Sequence, residues 1–203
     1  MIVVVDYGLG NLQSIKNMFK RIDVDDVVIS SDKNVIEKAS KLILPGVGAF
    51  DVGMKHLEEY GLKNVLNRKA LVEKVPVLGI CLGMQLMTRE SEEGKEKGLG
   101  WFDAKTVKFN LNDTKLKIPH MGWNYIREAN NSELKLDPKK KYRFYFVHSY
   151  RVKCANSADV LYTTNYGYEF HSAIKKDNLI GVQFHPEKSL HFGMDIFKSC
   201  SKL

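Results

Sequence analysis

Residues 76–87 read PVLGICLGMQLM, and this stretch decides the predicted fold. An apolar run typical of a buried strand passes into a helical pattern, and Gly79 and Gly83 flank Cys81 between them. Each glycine weakens a regular element by about 0.5–1 kcal/mol relative to alanine, so a plain strand or helix gains nothing from them. A sharp strand-to-helix turn does need them, because side chains two places from its centre would collide with neighbouring backbone. The stretch therefore predicts a strand, a strained turn at Cys81 and a following helix.

The alternation of strand and helix extends outward from this turn. Strand-like runs occupy 2–6, 27–30, 41–44 and 75–80, and helical patterns occupy 12–22, 52–71 (broken near Gly61) and 84–91. The second half is mostly strand-like, at 105–109, 143–150, 160–164, 169–174 and 179–184, before a terminal helix over 189–202. We predict an α/β fold with a mostly parallel central sheet flanked by helices and an antiparallel section near one side. No Gly-, Pro- or Ser-rich linker divides the chain, so we expect one domain over residues 1–203.

The composition limits the classes of protein that the chain can represent. With 203 residues, 44% hydrophobic and 27% charged, it is globular and long enough to bury a core. Three widely separated cysteines without a CxxC pair argue against a disulfide framework or a zinc site and favour the reducing cytoplasm. Five histidines lack the spacing to cysteines or carboxylates that metal ligands show: His56, His120, His148, His171 and His191. We therefore predict no metal site.

The net charge of +7 invites comparison with nucleic-acid-binding proteins. The lysines are scattered, however, and no finger, recognition helix or aromatic–basic RNA-binding motif is present, so a solvated basic surface is expected. No apolar stretch is long enough to cross a bilayer, and the apolar N-terminus lacks the basic region of a signal peptide. A partial dinucleotide fingerprint, Gly8-Leu9-Gly10, has Gln13 at its sixth position. We predict no cofactor there, but a loop that faces the active site or a partner.

A candidate base for Cys81 lies at the end of the last predicted strand. Residues 180–189 read IGVQFHPEKS, in which His185 and Glu187 are two apart. Side chains two apart on an extended segment face the same way, and Pro186 favours that conformation at His185. A carboxylate beside an imidazole can hold one ring nitrogen's proton and leave the other nitrogen to deprotonate the thiol. The alternative interpretations are a small buried apolar cysteine, a histidine that ends a strand and a surface glutamate.

GICLGMQ followed about a hundred residues later by FHPE resembles the class I (triad-type) glutamine amidotransferases. The resemblance implies a flavodoxin-like glutaminase domain. Cys81 would attack the side-chain amide of L-glutamine, His185 would act as base and then acid, and Glu187 would orient His185. It further implies an oxyanion loop with the Val47 N–H as donor and a glutamine-binding set, which together comprise Gly46, Val47, Gly48, Gln85, Ser149 and Tyr150.

Five further stretches are similar to one group in this family, the glutaminase subunits of imidazole glycerol phosphate synthases. They are VVDYGLGNLQSIKN (4–17), LPGVGAFDVGM (44–54), PHMGWN (119–124), FYFVHSY (144–150) and GVQFHPEKS (181–189). This similarity implies a heterodimer with a (β/α)8-barrel synthase subunit, which uses the ammonia to make imidazole glycerol phosphate and AICAR in histidine biosynthesis. Tryptophan and methionine are enriched at interface cores. We therefore expect Trp123 to lie at the partner contact with Pro119 and Asn124 of the same stretch. Lys188, beside Glu187, and Asn11 are expected at this contact too.

Three alternatives remain open at the level of sequence. A paralogous subunit could supply ammonia for amidation of a surface-polysaccharide sugar, and residues 98–109 and 165–174 do not decide between the two. A thiol hydrolase or peptidase could use the same Cys81 and His185 on a peptide or ester. A degenerate domain could act only as a scaffold, although the intact set of Cys81, His185 and Glu187 argues against that.

Overall fold

The computed structural model describes residues 1–111, 115–130, 134 and 136–203. The strands are β1 (Ile2–Val5), β2 (Val27–Ser30), β3 (Lys41–Leu44), β4 (Val77–Ile80), β5 (Glu90–Ser91), β6 (Ala104–Lys108), β7 (His120–Tyr125), β8 (Arg127–Glu128), β9 (Arg143–His148), β10 (Tyr150–Cys154), β11 (Val160–Tyr166), β12 (Tyr168–Lys176) and β13 (Leu179–Val182). The α-helices are α1 (Leu12–Lys20), α2 (Lys33–Glu37), α3 (Phe50–Glu59), α4 (Lys63–Asn67), α5 (Leu82–Leu86) and α6 (Leu190–Ser201). A π-helical turn, Arg68–Val72, follows α4, and 3₁₀ turns span Ser157–Asp159 and Pro186–Lys188.

The central sheet confirms the predicted α/β class. Its strands run in the order β2-β1-β3-β4-β13-β12-β10-β6-β5, and the pairs from β2 to β13 are parallel. The pairs β13–β12, β12–β10 and β10–β6 are antiparallel, as are β11 with β12 and with β8, so the antiparallel section lies on one side. Strands β7 and β9 form a separate antiparallel pair.

The parallel strands are buried on both faces, which explains their continuous apolar sequences. Successive side chains of β1 point to opposite faces: Val3 and Val5 join one core cluster, and Ile2 and Val4 join the other. Helices cover both clusters. Phe19 of α1 packs on Phe197 of α6, with ring centroids 4.8 Å apart, on the second face. In the part of the chain that the structure describes, no helix is both long and apolar enough to span a bilayer.

Two predicted elements differ from the structure. The helix predicted over 84–91 ends at Leu86, because the Thr88 hydroxyl donates to the Gln85 carbonyl and the chain then turns into β5. The strand predicted over 143–150 is divided at Ser149: β9 pairs with β7, whereas β10 pairs with β6 and β12. Helix α2 and strands β5, β7 and β8 were not predicted. Strand β7 forms through its pairing with β9, and such tertiary pairing often overrides local preference.

Candidate active site

The residues that directly follow four parallel strands lie at one edge of the sheet. Tyr7 follows β1, the loop 45–48 follows β3, Cys81 follows β4, and the segment from Gln183 to His185 follows β13. The carboxyl edge of an open parallel sheet is where ligands commonly bind. A cleft of about 340 Å³ lies there, and six of the predicted site residues line it: Val47, Gly48, Cys81, Gln85, Ser149 and Tyr150.

Cys81 occupies a strained turn, as the sequence predicts. Its φ is +52°, a left-handed conformation that is uncommon outside glycine, and its N–H donates to the Val182 carbonyl at 2.8 Å. The two flanking glycines are required for different reasons. A Cβ on Gly79 would lie 2.9 Å from the Gly83 carbonyl carbon, and a Cβ on Gly83 would lie 1.8 Å from the Leu44 carbonyl oxygen. The turn therefore brings α5 directly against the end of β3.

We expect Gly83→Ala to lower the free energy of unfolding by about 3 kcal/mol or more, since backbone must move to admit the methyl group. Urea unfolding followed by circular dichroism measures the change. Gly53→Ala in α3 is the matched control, because its added Cβ would meet only the ends of Leu86 and Leu82 side chains. That variant should stay within about 1 kcal/mol of the natural chain. Equal losses in the two variants would contradict the steric account of the turn.

His185 and Glu187 form a buried pair beside Cys81. Nδ1 of His185 lies 2.8 Å from Oε1 of Glu187, and their side chains are 1% and 3% exposed. The main chain fixes the ring's position, since the His185 N–H donates to the Tyr145 carbonyl and the His185 carbonyl accepts from the Ser189 hydroxyl. Burial alone would lower the pKa of His185, but interactions with Cys81 and Glu187 outweigh it and raise the pKa to about 10.

This geometry determines how the imidazole can act. A carboxylate only accepts hydrogen bonds, so Nδ1 of His185 carries the proton that faces Glu187. Nε2 is buried and has no hydrogen-bond partner among the described residues. It is therefore the nitrogen that takes and then holds the proton of Cys81, and Glu187 stabilises the resulting imidazolium, in keeping with the raised pKa of His185. The arrangement can generate a thiolate nucleophile and later return the proton to a leaving group.

The loop after β3 is held against the nucleophile's turn. The buried Tyr7 hydroxyl donates to the Pro45 carbonyl, and burial, together with Cys81, raises the pKa of Tyr7. A Cβ on Gly46 would lie 2.4 Å from Oη of Tyr7, so the loop and this phenol fit closely. Gly48 has a φ of +122°, a conformation that favours glycine. The loop thus presents Val47 and Gly48 at the mouth of the cleft, where the resemblance places the oxyanion donor.

Two amide side chains lie next to each other at the site: Gln85, which was predicted from the sequence and lines the cleft, and Gln183, which was not predicted. Nε2 of Gln85 donates to the Tyr150 carbonyl at 3.3 Å and to Oε1 of Gln183 at 3.1 Å, so Oε1 of Gln85 is the atom left for a substrate. Gln183 is fully buried, and its Nε2 lies 3.6 Å from Sγ of Cys81. A polar residue in an otherwise apolar strand end was the signal that could have identified it.

A pair of buried histidines supports the wall of the cleft. His148 donates through Nδ1 to the Tyr150 carbonyl at 2.7 Å, and its Nε2 lies 3.0 Å from Nδ1 of His120. Because a carbonyl only accepts, His148 must receive at Nε2, and His120 must donate to it. Nδ2 of Asn124 completes the chain at 3.2 Å from Nε2 of His120. Burial lowers the pKa of His120 to about 4 and that of His148 to about 3, so both rings are neutral near pH 7.

We expect these two histidines to make the folded state less stable as pH falls from about 6.5 towards 4. The unfolded chain binds protons near pH 6.5, whereas the folded chain does not until its lowered pKa values are reached, so unfolding becomes more favourable as pH falls. Urea unfolding at several pH values should give a shallower dependence for His148→Asn than for the natural chain. Exposed His191 supplies the control variant, His191→Gln, which should retain the natural slope. An unchanged slope in His148→Asn would contradict the account.

The residues expected at a partner contact divide into two sets. Pro119, Trp123 and Lys188 are exposed, and Pro119 also lines the cleft. Asn124 instead points inward, to His120 and to the Asn165 carbonyl, and Asn11 caps α1 by accepting from the Ser14 N–H. The structure therefore gives these two asparagines local structural contacts.

The other two cysteines lie outside the described lining of the cleft. Cys154 and Cys200 are free and buried, and burial raises the pKa of each to about 12. Across residues 1–111, 115–130, 134 and 136–203, no three metal-ligating side chains come together. A larger cleft of about 550 Å³ near β8 is lined by residues such as Tyr125 and Tyr142, with no cysteine or histidine among its described residues.

Comparison with known proteins shows the family. The model for "Glutamine amidotransferase class-I" matches residues 3–200. "Imidazole glycerol phosphate synthase subunit HisH 2" of Methanococcus maripaludis is 54% identical over 202 residues, covering 100% of this chain and 99% of that protein. The protein of the same name in Pseudomonas aeruginosa is 46% identical over 203 residues, covering 100% of both. "Imidazole glycerol phosphate synthase subunit HisH" of Leptospira interrogans is 39% identical over 205 residues, again covering 100% of both.

Solved structures agree on the fold. A crystal structure described as a glutamine amidotransferase superposes with a TM-score of 0.77 at 18% identity, covering 100% of this chain and 98% of that one. A glutamine amidotransferase of Thermotoga maritima gives a TM-score of 0.63 at 15% identity, covering 99% and 82% of the two chains. At such identities the likeness supports the fold alone, and the function-bearing evidence is the full-length match in sequence. The chain belongs to the class-I glutamine amidotransferase family.

Proposed function

We propose that this chain is the glutaminase subunit of an imidazole glycerol phosphate synthase. The observation that carries the proposal is full-length identity of 39–54% to proteins that bear this subunit's name. These names favour the synthase over the polysaccharide and peptidase alternatives. The buried pair of His185 and Glu187 beside Cys81 supports the same activity, because it is the machinery that amide hydrolysis through a thioester requires.

The reaction begins at Cys81. Nε2 of His185 takes the thiol proton, and the sulfur attacks the side-chain carbonyl carbon of L-glutamine to form a tetrahedral oxyanion. The Val47 N–H, from the loop after β3, stabilises that oxyanion. The C–N bond then breaks, His185 returns its proton to the leaving nitrogen, and ammonia departs from a glutamyl thioester. His185 next deprotonates a water that attacks the thioester, so glutamate leaves and the thiol is restored.

The cleft offers groups that match the rest of the glutamine molecule. Oε1 of Gln85 is free to accept a hydrogen bond, and Ser149 and Tyr150 line the same cleft. Glu93, which was not predicted from the sequence, also lines the cleft, and its Oε2 accepts from the Phe50 N–H, which fixes the carboxylate in place. A carboxylate there suits the α-ammonium group of the substrate.

The proposed partner would be a (β/α)8-barrel synthase subunit in a heterodimer. Ammonia released into neutral water becomes ammonium, which is not nucleophilic, so the ammonia has to pass directly to the enzyme that consumes it. One face of β7 carries exposed apolar side chains suited to such a contact: Met121 is 60%, Trp123 43% and Tyr125 53% exposed. The Arg143 guanidinium lies 5.5 Å from the Trp123 ring centroid, which adds a charged rim.

Glutamine hydrolysis with and without a barrel synthase subunit tests the proposal. We expect weak activity alone and a rise of about 10- to 100-fold when the partner and its ligand are present. With amide-labelled [¹⁵N]glutamine and unlabelled ammonium in solution, the label should enter the imidazole product. Trp123→Ala should weaken the complex, whereas Val72→Ala, at a residue that is 75% exposed on the π-helical turn, should not. Full glutamine hydrolysis by the isolated chain, with no increase when the partner is added, would contradict the proposal.

A further inference from the structure

Gln183 holds a fully buried amide against the nucleophile, and the mechanism above does not use it. Its Nε2 lies 3.6 Å from Sγ of Cys81, a hydrogen-bonding distance for a sulfur acceptor, and its Oε1 accepts from Gln85. The backbone N–H of Gln183 is separately engaged with the Ser172 carbonyl at 2.9 Å. The side chain therefore reaches the sulfur from the residue after β13, and Cys81 is the residue after the neighbouring strand β4.

The Tyr150 carbonyl determines which way both amides face. A carbonyl only accepts, so Gln85 must turn its NH₂ group towards Tyr150. The same NH₂ group donates its second hydrogen to Gln183, which must accept it with Oε1. Nε2 of Gln183 consequently faces the sulfur. If this amide were turned over, two NH₂ groups would oppose each other, and an oxygen would face the sulfur.

We propose that Gln183 is a further catalytic residue that donates a hydrogen bond to the Cys81 thiolate, and that Gln85 is a positioning residue that keeps the donor facing the sulfur. The assignment rests on the proposed thioester mechanism, in which the thiolate is the nucleophile. Two titratable side chains also act on Cys81: His185, from the segment after β13, and Tyr7, from the segment after β1. The Gln183 amide supplies the sulfur with a neutral hydrogen-bond donor in addition to the His185 imidazolium. A hydrogen-bond donor stabilises the thiolate more than the thiol.

Alkylation of the full chain by iodoacetamide, without glutamine, tests this role. The rate at Cys81 is followed by mass spectrometry as a function of pH, and Cys154 and Cys200 should stay unmodified because burial raises the pKa of each to about 12. Gln183→Leu should move the midpoint of the Cys81 profile up by about one pH unit. Gln85→Leu should move it in the same direction by less, since the donor is then free to turn.

A matched control separates this effect from general damage to the core. Ser172 lies on the neighbouring strand, is fully buried, and its hydroxyl has no partner among the described residues. Ser172→Ala should therefore leave the Cys81 profile unchanged. In a glutaminase assay, Gln183→Leu should lower kcat about 10-fold with little change in KM, because the sulfur and not the substrate loses a contact.

An unchanged midpoint in folded Gln183→Leu would overturn the role of Gln183. If that variant does not fold, Gln183→Met takes its place, and a crystal structure of the natural chain with Nε2 turned away from Sγ would overturn the proposal by itself. Failure here is distinguishable from failure of the proposed function. If the Cys81 profile is unchanged in Gln183→Leu and Cys81→Ala is inactive, only the proposed role of Gln183 is wrong. If Cys81→Ala is active, the thioester mechanism is wrong.

Discussion

Cys81→Ala is expected to lower glutamine hydrolysis by at least about 10⁴-fold, the scale seen when a triad nucleophile is removed. Cys81 lines the cleft and interacts with the buried His185 ring, and no other described cysteine can replace it. The assay is glutamate release by the chain in complex with its synthase partner. Binding of glutamine should survive, because alanine leaves the other contacts of the cleft in place.

Cys154→Ala is the matched control for this prediction. It removes another free, buried thiol, whose pKa burial raises to about 12 and which lies outside the described lining of the cleft. We expect this variant to keep most of the activity, with only a modest loss of stability. If Cys81→Ala retained more than about 1% of the natural rate, the covalent mechanism would be wrong, since removal of a nucleophile costs far more than this.

Glu187→Gln should have the second largest effect, a loss of about 10³-fold in kcat, comparable to losing the charge of a triad acid. The amide keeps the shape of Glu187 but removes the buried charge that stabilises the His185 imidazolium at 2.8 Å. Burial would then lower the pKa of His185 with less opposition, so the pKa should fall from about 10. Because the His185 imidazolium has to give its proton to the leaving nitrogen, the alkaline limb of the pH–rate profile should move to lower pH.

The control for the charge itself is Glu59→Gln, at the exposed C-terminal end of α3. It makes the same chemical change outside the cleft and should leave both kcat and the pH profile unaltered. A Glu187→Gln variant with the natural alkaline limb would show that Glu187 does not act on the imidazole. A large loss in both variants would point to net charge instead of to the triad.

The elements that the sequence predicted best are those set by local sterics. The turn at Cys81 was predictable because Gly79 and Gly83 are explained only by close backbone contacts within a few residues and with the adjacent strand. His185 and Glu187 were predictable as a pair because they are two residues apart, but Glu187 lies in the 3₁₀ turn Pro186–Lys188 and not on the extended segment that was predicted. The parallel sheet followed from the alternation of apolar runs and helical patterns.

The elements that the sequence did not predict depend on pairing between distant segments. The break at Ser149 arises because β9 and β10 belong to different sheets, which local pattern cannot reveal. Gln183 and Glu93 acquire their positions from neighbours about 100 and 40 residues away, Cys81 and Phe50. Trp123 is 43% exposed because it lies opposite Tyr145 on β9, in a strand pairing that the sequence did not predict.

The most direct test of the account is to trap the acyl-enzyme. The complex is mixed with glutamine, quenched in acid during turnover, and digested, and the peptide that contains Cys81 is examined by mass spectrometry. Hydrolysis through the sulfur predicts a glutamyl adduct on that peptide, formed in step with ammonia release and absent from Cys81→Ala. Steady glutamine hydrolysis by the natural complex with no such adduct at any quench time would contradict the claim that this thiol carries the acyl group.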